Sequence, residues 1–501
     1  MTPIDSVNDD ILLLTFTHCI PNATFGDALS LSHVCSRWRA LSTNHCPKLW
    51  TKFAFPDNFN STSRFLRERQ EEILRRCRNH PIDAGWESWN HWHLGSTRTA
   101  SQLISVLEHS PRFGSYAVKP PLSRDDARRV LDALGRAAHA PHLTELRVSG
   151  LTRARGWHWL KLPNSMFGGN LSSLRRLLLL GCWLDFNSLK IGPNLTTLEV
   201  GICSQVARER HEKAGIPTTF HEWIDVLRKC VNLRSFCLNQ RYGDASKLSP
   251  RDLPQHLTLP HLITASLTFE YDDLVTFLNL SLPACDTLLL KIHGAELDPH
   301  LRGWVGQLVE RYARPSPSDA SLIDLFRIGR SSFGCGLWRD ATQSVTFPAP
   351  YSPSPVRPNL LIWLDVNAEW DFASHIADPQ SAELCTFLLG WSSVYDRVTN
   401  LAMSWPPVDL GICAAAVESV IPHLKVLRTI VCPEVAVGKV SSCASALKGV
   451  SFVGYSARSN VLPERIVYSP KDETFQYAHL TEADEDASWA ASLSLHGPRM
   501  Y

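Results

Sequence analysis

A chain of 501 residues, 44% hydrophobic and 20% charged, has the composition of a globular protein long enough for two or three domains. Fifty basic residues against 49 acidic ones leave a net charge of +1, which argues against a nucleic-acid or membrane partner held by charge. No apolar run reaches the ~18 residues needed to span a bilayer, and Ile11-Leu12-Leu13-Leu14, with no basic stretch before it, is too short for a secretory signal core. The 14 cysteines are scattered singly from Cys19 to Cys443, with no C-x-x-C pair and no Cys/His set of zinc-site spacing. Cys35, Cys230 and Cys237 sit inside apolar patterns, where a thiol acts as a small hydrophobe. This usage predicts a reducing compartment, cytoplasmic or nuclear, and no metal site.

Residues 4–55 carry three short helical patterns divided by breakers. The first is predicted from Asn8 to Cys19. Asn8 or Asp9 caps its opening turn, the acids at 9 and 10 suit the positive end of a helix dipole, and Pro21 stops it. Ile11, Leu12, Thr15, Phe16 and Cys19 recur at 3–4 spacing and are expected to face inward, with Leu13 and Leu14 widening the apolar surface beyond one side. The second pattern starts near Asp27 and includes Ala28, Leu29, Leu31 and His33. The third holds Val34, Cys35, Trp38 and Leu41, with Arg37 and Arg39 on the other side, and Pro47-Lys48-Leu49-Trp50 closes the unit.

Ile4, Val7, Asp9-Asp10-Ile11-Leu12, Phe16, the run from Leu31 to Arg39 and Leu49-Trp50 together resemble an F-box of the kind common in fungal F-box proteins. The chain departs from that pattern at Val7-Asn8, where the family usually has Leu-Pro. The resemblance implies a partner rather than a reaction: a Skp-type adaptor, and through it a cullin scaffold and a ubiquitin-conjugating enzyme. The residues it implies for adaptor contact are Ile4, Val7, Ile11, Leu12, Phe16, Leu29, Leu31, Val34 and Trp38. Some of these must instead form the unit's own core, and sequence does not sort them. A unit this small cannot bury both sides of its helices, so an apolar flank is left for a partner. The alternative is a helical cap on a larger repeat array, with the aromatics as its core.

Residues 56–139 are expected to be a helical linker and cap. Phe65, Leu66, Ile73, Leu74 and Cys77 line one side of an amphipathic helix over 64–78, whose other side interleaves Glu68, Glu71 and Glu72 with arginines as a solvated, ion-paired face. Trp86, Trp89, His91, Trp92 and His93 follow as packing aromatics.

From about residue 140 the pattern L-x-x-L-x-L dominates. Leu143-x-x-Leu146-x-Val148, Leu174-x-x-Leu177-x-Leu179, Leu195-x-x-Leu198-x-Val200 and Leu233-x-x-Phe236-x-Leu238 fit it. Looser copies begin at Leu262, Cys285, Leu424 and Leu447, and Pro or Asn often lies just upstream, as in Pro193-Asn194. The spacing is irregular but near the leucine-rich repeat period. Phe220, Trp223, Ile224, Leu227 and Cys230 mark a helical return. Helix and following strand resemble a leucine-rich repeat unit, which implies parallel strands whose leucines point into a solenoid. An ordinary α/β domain with leucine-rich strands is the alternative.

The predicted layout is therefore α/β: an F-box at 1–55, the linker, and an irregular leucine-rich-repeat-like solenoid at 140–312. A Pro-rich loop insertion at 313–358, a further repeat-like region at 359–478 and an acidic tail at 479–501 complete it. No phosphate-cradling Gly-rich loop, nucleophile elbow or His-Glu-x-x-His motif is present. The expected function is the non-catalytic substrate-recognition subunit of a Skp–cullin–F-box ubiquitin ligase, with no cofactor, no nucleic acid and no membrane, its repeats binding an unidentified protein substrate. A leucine-rich-repeat scaffold without a ligase role is the second reading.

Overall fold

A computed structural model describes residues 6–19, 25–54, 63–85, 97–118, 124–149, 160–186, 190–202, 220–240, 256–271, 277, 280–295, 299–312, 322–328, 332–338, 360–366, 399–404, 423, 427–433, 451–455, 466–469 and 474–477. The chain is mixed α/β and divides into two compact units, Met1–Leu233 and Arg234–Tyr501.

The first unit opens with helices α1 (Asp9–Cys19), α2 (Phe25–His33) and α3 (Ser36–Ala40). Asn8 caps α1 as its sequence position predicts, its Oδ1 accepting from the Asp10 amide at 3.0 Å. α3 has only five residues and is capped by Cys35, whose Sγ accepts from the Trp38 amide at 3.4 Å. A π-turn over Leu41–His45 and a 3-10 turn over Pro47–Trp50 follow. Leu12, Phe16, Ala28, Leu41, Leu49 and Trp50 are buried. Phe16 meets Trp38 edge-on at 5.2 Å. Trp50 is fully buried, donates from Nε1 to the Ser42 carbonyl at 2.9 Å, and carries the Arg76 guanidinium 4.2 Å above its ring.

Strands β1 (Lys52–Ala54), β2 (Ile82–Gly85), β3 (Phe113–Val118), β4 (Glu145–Ser149), β5 (Arg176–Leu180) and β6 (Thr197–Ile202) then pair in chain order, every neighbour parallel. Parallel neighbours require a crossover. Helices α4 (Ser63–Arg76), α5 (Thr97–Leu107) and α6 (Arg124–Arg136) supply it between the first four strands, and α7 (Phe220–Lys229) follows β6. In the later crossovers the described residues form a turn at Met166–Gly169 and two-residue parallel ladders.

The register explains the leucine pattern. Tyr116, Leu146, Leu177 and Leu198 stand abreast on successive strands, as do Val118, Val148, Leu179 and Val200, and all are buried. A tight turn delivers each first leucine: Leu143, Leu174 and Leu195 donate their amides to Ala140, Leu171 and Gly192 at 3.2, 3.0 and 3.4 Å. Asn194 and Asn232 donate side-chain amides to the carbonyls of Ser172 and Pro193, each bonding a turn to the one before.

The sheet begins well before residue 140. The stretch expected as helical linker holds α4, α5 and α6 but also β2 and β3, and Phe113-x-x-Tyr116-x-Val118 takes the same register as Leu143-x-x-Leu146-x-Val148. Aromatic side chains hold the leucine places there. Phe113 stacks on Tyr116 at 5.2 Å, and both meet Phe167 edge-on.

In the second unit β7 (Ser235–Gln240), β8 (Thr264–Glu270) and β9 (Thr287–Ala295) are parallel. Phe236, Leu238, Ala265, Leu267, Leu288 and Leu290 are their buried positions, and α8 (Pro299–Tyr312) follows. The strand order then departs from chain order. Strands β10 (Leu322–Ile328), β11 (Ser332–Trp338) and β12 (Leu360–Val366) form an antiparallel meander, with β12 parallel to β9 and β10 parallel to β13 (Asn400–Ser404). The segment expected as a loop insertion thus contributes two strands, β10 and β11. Its Phe347–Pro355 run lies outside the described residues.

β14 (Thr429–Pro433) and β15 (Ser451–Tyr455) continue in parallel. Here the expected register is corrected: Leu401 pairs with Ile430, so Leu427 is the first leucine of its strand rather than the second. The helical pattern at Ala382–Trp391, the aromatic cluster at 86–93 and the acidic tail all lie outside the described residues.

Candidate docking surfaces

Two surfaces of the first unit stand out: one exposes apolar side chains, and the other brings charged side chains together on one sheet face. The first belongs to the opening helices. α1 packs through Leu12 and Phe16, one turn apart, and this turns Ile11 and Thr15 out of the expected inward stripe. Thr15 Oγ1 donates to the Ile11 carbonyl at 2.8 Å, a bond within the helix that suits an outward position. Ile11 is 57% exposed, Leu14 59% and Val34 55%, and Leu29 is exposed as well. Of the six large apolar side chains exposed among the described residues, these four all fall between residues 11 and 34.

The sequence set for adaptor contact therefore divides. Ile11, Leu29 and Val34 are exposed, Val7, Leu31 and Trp38 are half-buried, and Leu12 and Phe16 lie inside the unit's own core. Ile4 lies outside the described residues. Leu14 belongs with the exposed residues but was not in that set, although its place three residues beyond Ile11 on a helix gives the signal.

Polar bonds hold these helices together. Arg37 donates from Nε to Asp9 Oδ1 at 2.7 Å and from Nη2 to the Val7 carbonyl, joining α3 to the start of α1. Arg39 Nε donates to the Ser32 carbonyl at 3.0 Å, joining α3 to the end of α2.

The second surface is the sheet face opposite the buried leucines. Because side chains alternate along a strand, the partners of one register row share a face. Lys52, Asp83, Ser115, Glu145, Arg176 and Thr197 form one such row across β1–β6. Burial pushes the Asp83 carboxyl above its ordinary range, while a hydrogen bond with Ser115 and the charge of Lys52 pull it partly back. Two residues further along the same face, Arg147 stands opposite Leu178, and Leu178 opposite Glu199. Arg147 Nε donates to Glu145 Oε1, and Arg176 Nη1 lies 3.7 Å from Glu145 Oε2. Sequence reading missed this convergence because Arg147 and Arg176 are distant in the chain and only register brings them together.

Burial raises the thiols of Cys46, Cys77, Cys182, Cys230 and Cys285, Cys230 up to about 11, which makes them poor nucleophiles. Among the described residues no group of three His, Cys, Asp or Glu is placed to hold a metal ion, and no helix is long and apolar enough to cross a membrane. No family model matches the chain, and no curated protein matches it.

Proposed function

We propose that this chain is the substrate-recognition subunit of a Skp–cullin–F-box type ubiquitin ligase. In this reading the three opening helices form an F-box that holds the Skp-type adaptor, and the parallel-strand array is a leucine-rich-repeat-like solenoid that presents a protein substrate. Catalysis is then positional: a substrate lysine kept beside an activated thioester reacts at high effective concentration, with no catalytic side chain from this chain. The observation that carries the reading is the concentration of exposed apolar side chains on α1 and around α2, at Ile11, Leu14, Leu29 and Val34. Four large apolar side chains left exposed within so short a stretch favour an interaction surface on these helices. Asn8 departs from the family's proline and is the feature that favours the scaffold alternative, although it caps α1 and so keeps the helix start.

The test is capture of a purified Skp-type adaptor by the full-length chain. Ile11→Asp combined with Leu14→Asp is expected to abolish capture with an unchanged thermal melt, because both side chains already face solvent. Leu12→Asp does not serve, since it places a charge in the unit's own core. If the wild-type chain fails to capture the adaptor, the ligase reading falls, and a repeat scaffold that binds partners directly remains.

A further inference from the structure

Arg37 grips the chain on both sides of the residue that caps α1. Its Nε donates to Asp9 Oδ1 at 2.7 Å, just after Asn8, and its Nη2 donates to the Val7 carbonyl, just before it. One planar guanidinium thus holds residues 7 and 9 at once, in the relative orientation its rigid fork dictates. The next residue of α3, Trp38, meets Phe16 edge-on at 5.2 Å, so α3 holds α1 near its start and again in its second half. The exposed apolar side chains lie on two separate stretches, Ile11 and Leu14 on α1 and Leu29 and Val34 on α2 and just beyond it. A partner that touches both stretches needs the first turn of α1, which carries Ile11, to keep its place against α3.

Residue 8 is the weak point of that turn. The Asn8 side chain satisfies the Asp10 amide, but an asparagine leaves its own backbone free to rotate about φ. Proline, which the F-box pattern has there, fixes φ at about −65° and offers no side-chain cap. Anchoring residues 7 and 9 from outside confines residue 8 as the ring would. We propose that Arg37 is a positioning residue, which supplies the backbone restraint at Val7–Asp9 that proline would otherwise supply and so presents Val7 and Ile11 to the partner of the opening helices. This deepens the docking role proposed above and rests on it for the identity of that partner.

The experiment takes two readouts on the full-length chain: hydrogen exchange of the α1 amides and affinity for a purified Skp-type adaptor. Arg37→Gln is expected to speed exchange at Asp10–Leu13, where the Leu12 amide donates to the Asn8 carbonyl at 3.1 Å, and to leave α6 unchanged. It should weaken adaptor binding roughly fivefold or more, the scale of losing charge-assisted hydrogen bonds. Arg37→Lys keeps the charge but not the fork, and should lose nearly as much. With Asn8→Pro the ring supplies the restraint, so adding Arg37→Gln should change either readout by less than about twofold, a coupling that independent sites do not show. Equal losses from Arg37→Gln with and without Asn8→Pro, full binding by Arg37→Lys, or loss of binding in Asn8→Pro alone overturns the proposal. So does an Arg37→Gln chain whose exchange rises throughout, α6 included, since that is a loss of the whole fold. A wild-type chain that never binds the adaptor loses the ligase role, while the exchange pattern still decides the role of Arg37. A chain that binds the adaptor regardless of Arg37 loses only this positioning role.

Discussion

Single residues show where apolar pattern and packing agree and where they part. The Asn8 cap was legible because a side-chain oxygen before an acidic first turn has few other uses. The positions of Ile11 and Thr15 were not, because 3–4 spacing marks a stripe without saying which edge of it meets the core. Tyr116 is a further case. Its ring fills a leucine position, but its hydroxyl is buried with no hydrogen-bond partner among the described residues, and burial pushes its ionisation well up. An unpartnered buried hydroxyl costs about 1–3 kcal/mol. Tyr116→Phe is therefore expected to keep the fold and raise the thermal midpoint; a lower midpoint would mean the hydroxyl is satisfied in solution. Asp83 gives a pH-dependent counterpart. Its folded-state pKa is raised above the unfolded value, so the folded form binds the proton more readily and stability falls as pH rises through that window. Asp83→Asn should raise the midpoint at pH 7 and bring little gain at pH 3, where the native carboxyl is already protonated. Melts at the two pH values check this.

At the level of elements, strands carried by leucine were readable and strands carried by anything else were not. Leu146, Leu177 and Leu198 announce three adjacent rungs, whereas Tyr116 in the same row does not look like a repeat in sequence. Leu360–Val366 reads as a strand in sequence, but the β10–β11 hairpin before it was hidden for another reason. The prolines that surround it suggest loop, and antiparallel pairing leaves no leucine signature. Turns were half-legible, since Pro193-Asn194 marks one but Met166–Gly169 carries no proline. That turn needs left-handed backbone at Phe167 (φ 52°), Gly168 (φ 71°) and Gly169 (φ 71°). Gly169→Ala should cost about 1–2 kcal/mol, because a Cβ disfavours that region, and the added carbon would stand 3.3 Å from the Asn164 carbonyl oxygen. Denaturant unfolding of the variant measures the loss. The Phe167 ring of this turn is buried against Phe113 and Tyr116.

For the molecule as a whole, fold class followed from sequence because leucine spacing and helical returns both point to parallel strands with crossovers. The candidate surfaces followed only in part. The opening apolar flank is visible as an excess of leucine and isoleucine, but the Arg147–Glu145–Arg176 convergence depends on register, which local pattern does not fix. Both surfaces lie in the first unit, one on its helices and one on its sheet.

Trp50 makes the opening helices and the sheet hard to separate. It closes the helical turns, and it also stands three residues before Phe53, where later strands keep their first leucine. A cut at residue 55, where sequence alone drew the boundary, would carry off both this tryptophan and the strand Lys52–Ala54. The remainder would then present Ile82–Gly85 as a raw border of unpaired amides and carbonyls, the kind that recruits strands from other molecules. The cut therefore moves the sheet edge inward by one strand, and a truncation that keeps the sheet whole has to begin upstream of Trp50.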